Sequence, residues 1–203
     1  MRPNLRGLSK RAMDIALASA ALPLAAPVVL GVALATVVES PGNPFFLQPR
    51  VGRDGKRFTL YKLRTMIPNA QNIGAGLYNE KNDPRYTQTG KLARRLSLDE
   101  VPQLLNVLKG DMSIVGPRPQ LDIIVDAHAE DYREILKVKP GLTGLAQVSG
   151  RNALPRSKRI ELDRAYARTW SIRGDIAILA KTIGVVLRGE GQLNDQSAAD
   201  VER

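Results

Sequence analysis

From Ile15 to Val38 the chain carries no charged residue, and that run limits what can be built around it. As a helix it would reach about 36 Å at ~1.5 Å per residue, against a bilayer core of roughly 30 Å. Arg2, Arg6, Lys10 and Arg11 precede it, and Arg50, Arg53, Lys56 and Arg57 follow it closely. Basic flanks prefer the cytoplasmic side. A straight span would leave one cluster on the wrong side, whereas a re-entrant helix that breaks and returns keeps both on one side. Pro23 and Pro27 fall inside the run, where each removes a backbone donor and crowds the preceding turn. Prolines also occur in ordinary membrane helices, whose neighbours re-satisfy the backbone, so both readings stand and the flanking charge favours the re-entrant one. A signal peptide has a shorter apolar core of about 7–15 residues. Asp14 heads the run, near a helix N-terminus that favours a carboxylate, and is read as an interface anchor.

The rest of the composition narrows the chemistry. Lys and Arg exceed Asp and Glu by 30 to 20, a formal net charge of +10, which points to an anionic partner: nucleic acid, an anionic bilayer or a phosphorylated substrate. Aromatic residues are only 4% and no nucleic-acid-binding motif occurs, so no nucleic acid partner is expected. There is no cysteine and a single histidine, His128. Disulfides, thiolate chemistry and a multi-histidine metal site are thereby excluded. His128 reads as a surface helix residue.

Beyond the turn cluster Ser40–Pro44, Phe45 to Arg50 and Arg57 to Leu63 read as strands of a β-hairpin. Ile67 to Gly90 reads as a loop over the active face. Lys91 to Arg95 is a short basic helix, and Val101, Leu104, Leu105 and Leu108 recur at helical spacing, with Gly110 as C-terminal cap. Gly116-Pro117-Arg118-Pro119 forces an extended loop. Asp122 to Val138 is a helical pattern, Pro140 to Asn152 a glycine-rich loop or short strand. Ser157 to Trp170 and Asp175 to Leu187 are amphipathic helices, suited to a core or to an anionic membrane surface.

Asp99-Glu100 is the chemical focus. Ser97-x-x-Glu100 matches a capping box, and acids suit a first helical turn. Yet Arg94, Arg95, Lys109, Arg118 and Arg151 supply a cationic complement that a plain cap does not need. An aspartate can act as a nucleophile and form an acyl phosphate, and Mg²⁺ prefers carboxylate and phosphate oxygens. Prolines on both sides of Arg118 pre-set its direction, and its planar donor fork suits phosphate. Lys62 and Arg64 end the second strand as further candidate binders, or as a solvated face. No Walker-type or G-x-G-x-x-G glycine loop occurs.

The stretch Ser97-Leu98-Asp99-Glu100-Val101-Pro102-Gln103-Leu104-Leu105-Asn106, continuing to Gly116-Pro117-Arg118-Pro119, resembles the bacterial sugar transferase family, the monotopic phosphoglycosyl transferases. Lys10–Asp14, Phe45–Gly52, Tyr61–Met66 and Pro140–Asn152 resemble it too, so that the likeness covers nearly all of residues 9 to 190, in what looks like the family's minimal catalytic form. The resemblance implies transfer of a sugar 1-phosphate from a UDP-sugar to undecaprenyl (polyprenyl) phosphate with release of UMP. It implies that Asp99 attacks the β-phosphate to form a covalent phosphosugar enzyme, that Glu100 assists, and that Mg²⁺ lies near Asp99. By the same matching Pro117 and Arg118 help to bind phosphate, and Arg151 is a candidate for the nucleotide end. The family's membrane helix is re-entrant and broken at a proline, often Ser-Pro. Ala26-Pro27 stands at that point here, and Ala26 has no hydroxyl to back-bond a freed carbonyl.

The expected fold is α+β and mostly helical. A basic N-terminus and re-entrant membrane helix broken around Pro23, Ala26 and Pro27 occupy residues 1–40. A catalytic domain with a β-hairpin and interfacial amphipathic helices occupies 41–188, and a polar tail 189–203. The expected place is the cytosolic face of the bacterial inner membrane, in contact with membrane lipid, and a homo-oligomer is compatible with the sequence. A non-catalytic membrane scaffold of the same fold is the first alternative, and a basic nucleic-acid-binding module, suggested by the net charge, the second.

Overall fold

The computed structural model describes residues 5–74, 76, 83–150 and 153–188; Arg151 and the tail from 189 lie outside them. Helix α1 (Leu5–Glu39) is the longest element and continues helically through Pro23, Ala26 and Pro27. It is the one described helix long and apolar enough to cross a membrane, with a mean hydropathy of 2.3 over its most apolar window. One face is buried, at Asp14, Ala18, Val29, Ala33 and Thr36, positions that stack at helical spacing. The opposite face leaves Leu24, Leu30, Leu34 and Val38 exposed.

Both ends of α1 are bonded to the same domain. Near its start, Lys10 Nζ donates to the carbonyl of Val115 at 3.0 Å and to Asp175 Oδ2 at 2.6 Å. Arg11 donates to the carbonyls of Val107 and Leu108, and Asp14 Oδ1 accepts from Ser113 Oγ and Ile114 N, both at 2.9 Å. Asp14 is therefore no interface anchor. The helix begins nine residues earlier, at Leu5, so Asp14 sits inside the helix and pairs with backbone that would otherwise be unbonded in the core. At the far end, Glu39 accepts from the backbone N–H of Gln88 and Thr89, at 2.6 and 2.8 Å.

Strands β1 (Phe45–Val51) and β2 (Arg57–Leu63) form the antiparallel hairpin, from Phe45 opposite Leu63 to Val51 opposite Arg57. Its turn holds Asp54 and Gly55 at positive φ. The outer edge of β2 is not left open: the buried amide of Asn106 accepts from Tyr61 N at 3.0 Å and donates to the Thr59 carbonyl at 2.7 Å. Asn106 belongs to α3 (Leu104–Lys109), capped by Gly110 at φ +95°. Before it lie α2 (Gln88–Arg95) and a 3-10 segment, Leu98–Gln103. The loop from Ile67 is tied back to the hairpin. Thr87 N donates to the Thr65 carbonyl, and Arg85 pairs with Asp83 while donating to the carbonyls of Ala70, Ile73 and Gly76.

Strands β3 (Ser113–Val115) and β4 (Gly141–Thr143) pair in parallel. Between them the expected helix over 122–138 is two, α4 (Asp122–Ala127) and α5 (Ala129–Ile135), parted at His128, whose φ and ψ of −126° and 38° leave the helical region. His128 is thus a half-buried junction residue and not a surface helix residue. Helices α6 (Leu145–Val148), α7 (Arg156–Thr169) and α8 (Ile172–Arg188) complete the described residues. The core joins Ala18 of α1, Leu60, Val107, Met112, Val115 and Ile178.

Candidate functional site

Ser97 decides how the acid pair is presented. It adopts φ +58°, a left-handed conformation uncommon outside glycine, and makes no side-chain cap. The capping box therefore does not form, and Glu100 is free to bond elsewhere. In the 3-10 segment that follows, residues three apart eclipse and neighbours diverge. Asp99 and Glu100 consequently point to different partners.

Asp99 is buried, 2% exposed. Its Oδ2 lies 3.0 Å from Lys62 Nζ, while its Oδ1 is buried with no hydrogen-bond partner. Burial pushes the Lys62 ammonium below the ordinary lysine value, Asp99 opposes that shift, and Arg94 adds to it. Glu100 Oε1 accepts from Arg118 at 2.7 Å. Burial alone would raise the Glu100 carboxyl; the charge and hydrogen bond of Arg118, with Lys62 and Arg94 behind it, instead hold it at about 2. Arg94 stacks on the Tyr86 ring at 5.0 Å.

The loop carrying Arg118 is built on glycines. A Cβ on Gly141 would lie 2.0 Å from Gly116 N, and one on Gly144 would lie 2.1 Å from the Gly116 carbonyl oxygen. With that close approach, Gly141 N donates to the Pro117 carbonyl at 2.7 Å and Gly116 N to the Thr143 carbonyl at 2.8 Å. Pro117 thus acts through its backbone, holding Arg118 in place.

Glu100, Arg94 and Arg118 line a cavity of about 360 Å³ with Leu96, Val101, Tyr132 and Leu142. Gln147, Arg156, Arg159 and Asp163 line it too, and these four were not singled out in the sequence. Asp163 had a readable signal: it falls on the same helical face as Ile160, and both are buried. Burial pushes its carboxyl up to about 7 against the charges of Arg159 and Arg118.

The site gathers Asp99, Glu100, Lys62, Arg94 and Arg118, but not every expected base. Arg64 stands just past the end of β2, so strand alternation no longer sets its direction. Its guanidinium bonds the hydroxyl and carbonyl of Ser40 at the C-terminal end of α1. Lys109 is exposed and pairs with the Tyr61 hydroxyl, and Arg95 is exposed. Among the described residues no three acids or imidazoles gather into a metal cage. Mg²⁺, however, is commonly held by one or two carboxylates completed by substrate phosphates, and the unpartnered Asp99 Oδ1 is a donor of that kind.

Carboxylates set among guanidinium and ammonium groups beside a cavity are the groups that phosphate handling calls for. The model of the bacterial sugar transferase family matches residues 5–189, and the chain belongs to that family. It is 41% identical over 196 residues to undecaprenyl-phosphate galactose phosphotransferase of Salmonella typhimurium, covering 90% of this chain and 41% of that protein. Over 188 residues it is 44% identical to the UDP-glucose:undecaprenyl-phosphate glucose-1-phosphate transferase of Escherichia coli, covering 87% of this chain and 39% of that one. Over 183 residues it is 45% identical to the uncharacterized sugar transferase EpsL of Bacillus subtilis, covering 90% of this chain and 89% of that one. The chain thus spans less than half the length of several curated relatives and most of the length of others.

Proposed function

We propose that the chain transfers a sugar 1-phosphate from a UDP-sugar to undecaprenyl phosphate, releasing UMP, with Asp99 as the nucleophile. The observation that carries this reading is the division of labour in the acid pair. Lys62 fixes Asp99 through Oδ2 and leaves Oδ1 unbonded, while Glu100 holds Arg118 at the cavity wall. The names of the Salmonella and Escherichia relatives support the same donor and acceptor classes.

In the first step Asp99 Oδ1 attacks the β-phosphorus of the donor. The bond from that phosphorus to the bridging oxygen breaks, and UMP departs with the electron pair. Asp99 then carries the phosphosugar as an acyl phosphate. In the second step an oxygen of the lipid phosphate attacks the same phosphorus, the bond to Asp99 breaks, and a polyprenyl diphosphate sugar leaves. Arg118 and Arg94 neutralise charge on the phosphates. Glu100, held at about 2, stays ionised near neutral pH and orients Arg118 rather than supplying a proton. Mg²⁺, held by the Asp99 carboxylate and phosphate oxygens, would supply further neutralisation of phosphate charge.

The acceptor phosphate lies at a bilayer surface, and α1 supplies the attachment. Hydrogen bonds from both its ends to one domain favour a helix that enters from the cytosolic face and returns to it. The exposed Ile176, Ile183 and Leu187 of α8 form an apolar stripe suited to the interface. The test is UMP release in a membrane mimetic with Mg²⁺, undecaprenyl phosphate and a panel of UDP-sugars. Release with one donor supports the reading. A protein that binds UDP-sugars yet releases no UMP from any of them contradicts it.

A further inference from the structure

Two side chains on the α6–α7 side of the cavity have no part in the transfer chemistry. Gln147 of α6 and Asp163 of α7 both line the cavity. The Oε1 and Nε2 atoms of Gln147 are buried and make no hydrogen bond, and neither does Asp163 Oδ1. A buried amide left wholly unpaired is costly, and this one borders a space large enough for a ligand. Helix α6 packs on both α7 and α8, so the wall beside Gln147 includes Leu142, Ala146, Leu179 and Val186.

We infer that Gln147 is the reader of the donor's pyrimidine base. This rests on the donor being a UDP-sugar. A primary amide presents a donor and an acceptor side by side, and the edge of a uracil ring presents their complement. The ring N3–H donates to Oε1, and Nε2 donates to an adjacent ring carbonyl. Apolar walls suit the faces of a flat ring with one polar edge. A sugar carries hydroxyls all round and would leave several unpaired against those side chains. Arg118 and Arg94 border the same cavity, which leaves the diphosphate to them and the base to α6. Asp163 fits the same picture: burial pushes its carboxyl up to about 7, so near neutral pH the wall carries less negative charge than an ordinary aspartate would bring.

The experiment compares binding of UMP and ribose 5-phosphate to the full chain in detergent, by calorimetry, for wild type, Gln147→Leu and Gln147→Glu. Wild type is expected to prefer UMP by about tenfold or more, and both variants to lose most of that preference, keeping only what the apolar walls give the ring. Leu removes both hydrogen bonds. Glu keeps the shape but loses the N–H donor, so it carries the test should Leu unfold the protein, as a thermal melt would reveal. Retention of the wild-type preference in the folded variants overturns the inference, as does a wild type with no preference. The readout needs no turnover. A chain that prefers UMP through Gln147 but transfers nothing would defeat the transfer reading alone. A chain that transfers normally with both variants still preferring UMP would defeat the base reader alone.

Discussion

Asp99 and Glu100 are adjacent in sequence yet meet different neighbours, because a 3-10 segment turns successive side chains apart. That difference has consequences for pH. The Glu100 carboxyl falls from its ordinary 4.5 to about 2 in the fold, so its contribution to stability is fully present above about 4.5 and is lost as pH falls through about 2. Arg118→Gln removes the cause. Its thermal melt is expected to fall below that of wild type at neutral pH, with the gap closing as the solution is acidified across that window. A gap independent of pH would contradict the pairing. Asp163 has the opposite sign. Its pKa rises from 3.8 to about 7, so between those values the unfolded chain ionises while the fold does not, and stability falls as pH rises. Asp163→Asn cannot ionise in either state. It is expected to melt higher than wild type above about pH 7 and to lose that advantage below about pH 4; an equal advantage at both would refute the assignment. The acid pair and Arg118 were legible in sequence because they lie within one contiguous motif. Gln147 was not, because only the packing of α6 on α7 and α8 turns an ordinary helical position into a cavity wall; Asp163 showed only its place on the apolar face of Ile160, and nothing in the sequence joined that face to the cavity. Arg64 misled because it stands one residue beyond the strand whose alternation would have aimed it.

At the scale of elements, the acid segment and Arg118 are positioned by backbone as much as by side chains. Asn106 closes the edge of β2, and the glycines of the 140–144 segment let β3 and β4 approach until no Cβ fits between them. Gly141→Ala places a methyl group 2.0 Å from Gly116 N. It is expected to cost about 1–3 kcal/mol in denaturant unfolding and to impair transfer by displacing Pro117 and Arg118. A neutral effect on both would show that the loop is not so tightly seated. The hairpin was readable because two alternating runs flank a Gly-Arg-Asp-Gly turn. The split between α4 and α5 was not, since nothing in Asp126–Glu130 breaks the helical pattern and only the backbone at His128 departs from it. The capping box failed for a local reason also: Ser97 takes a left-handed conformation, which sequence periodicity does not reveal.

For the whole molecule, α1 fastens the domain to its surroundings. Its first turns are bonded to β3, α3 and α8, and its last turn to α2. On the re-entrant proposal, a helix so tied at both ends keeps both flanks on one side of a bilayer. Because the chain has no cysteine, Arg6→Cys and Asn43→Cys, each at an exposed position, can be labelled singly in sealed inverted membrane vesicles with an impermeant maleimide. Both are expected to react from the outside, the former cytosolic face, without detergent; reaction of only one would indicate a span. The central claim, that Asp99 carries the phosphosugar, is tested most directly without any lipid acceptor. Wild type mixed with Mg²⁺ and its UDP-sugar should release UMP in an amount matching the enzyme and then stop, with the sugar retained on the protein, while Asp99→Asn releases none. Release that needs the lipid phosphate from the first turnover, or that is unchanged in Asp99→Asn, would contradict it.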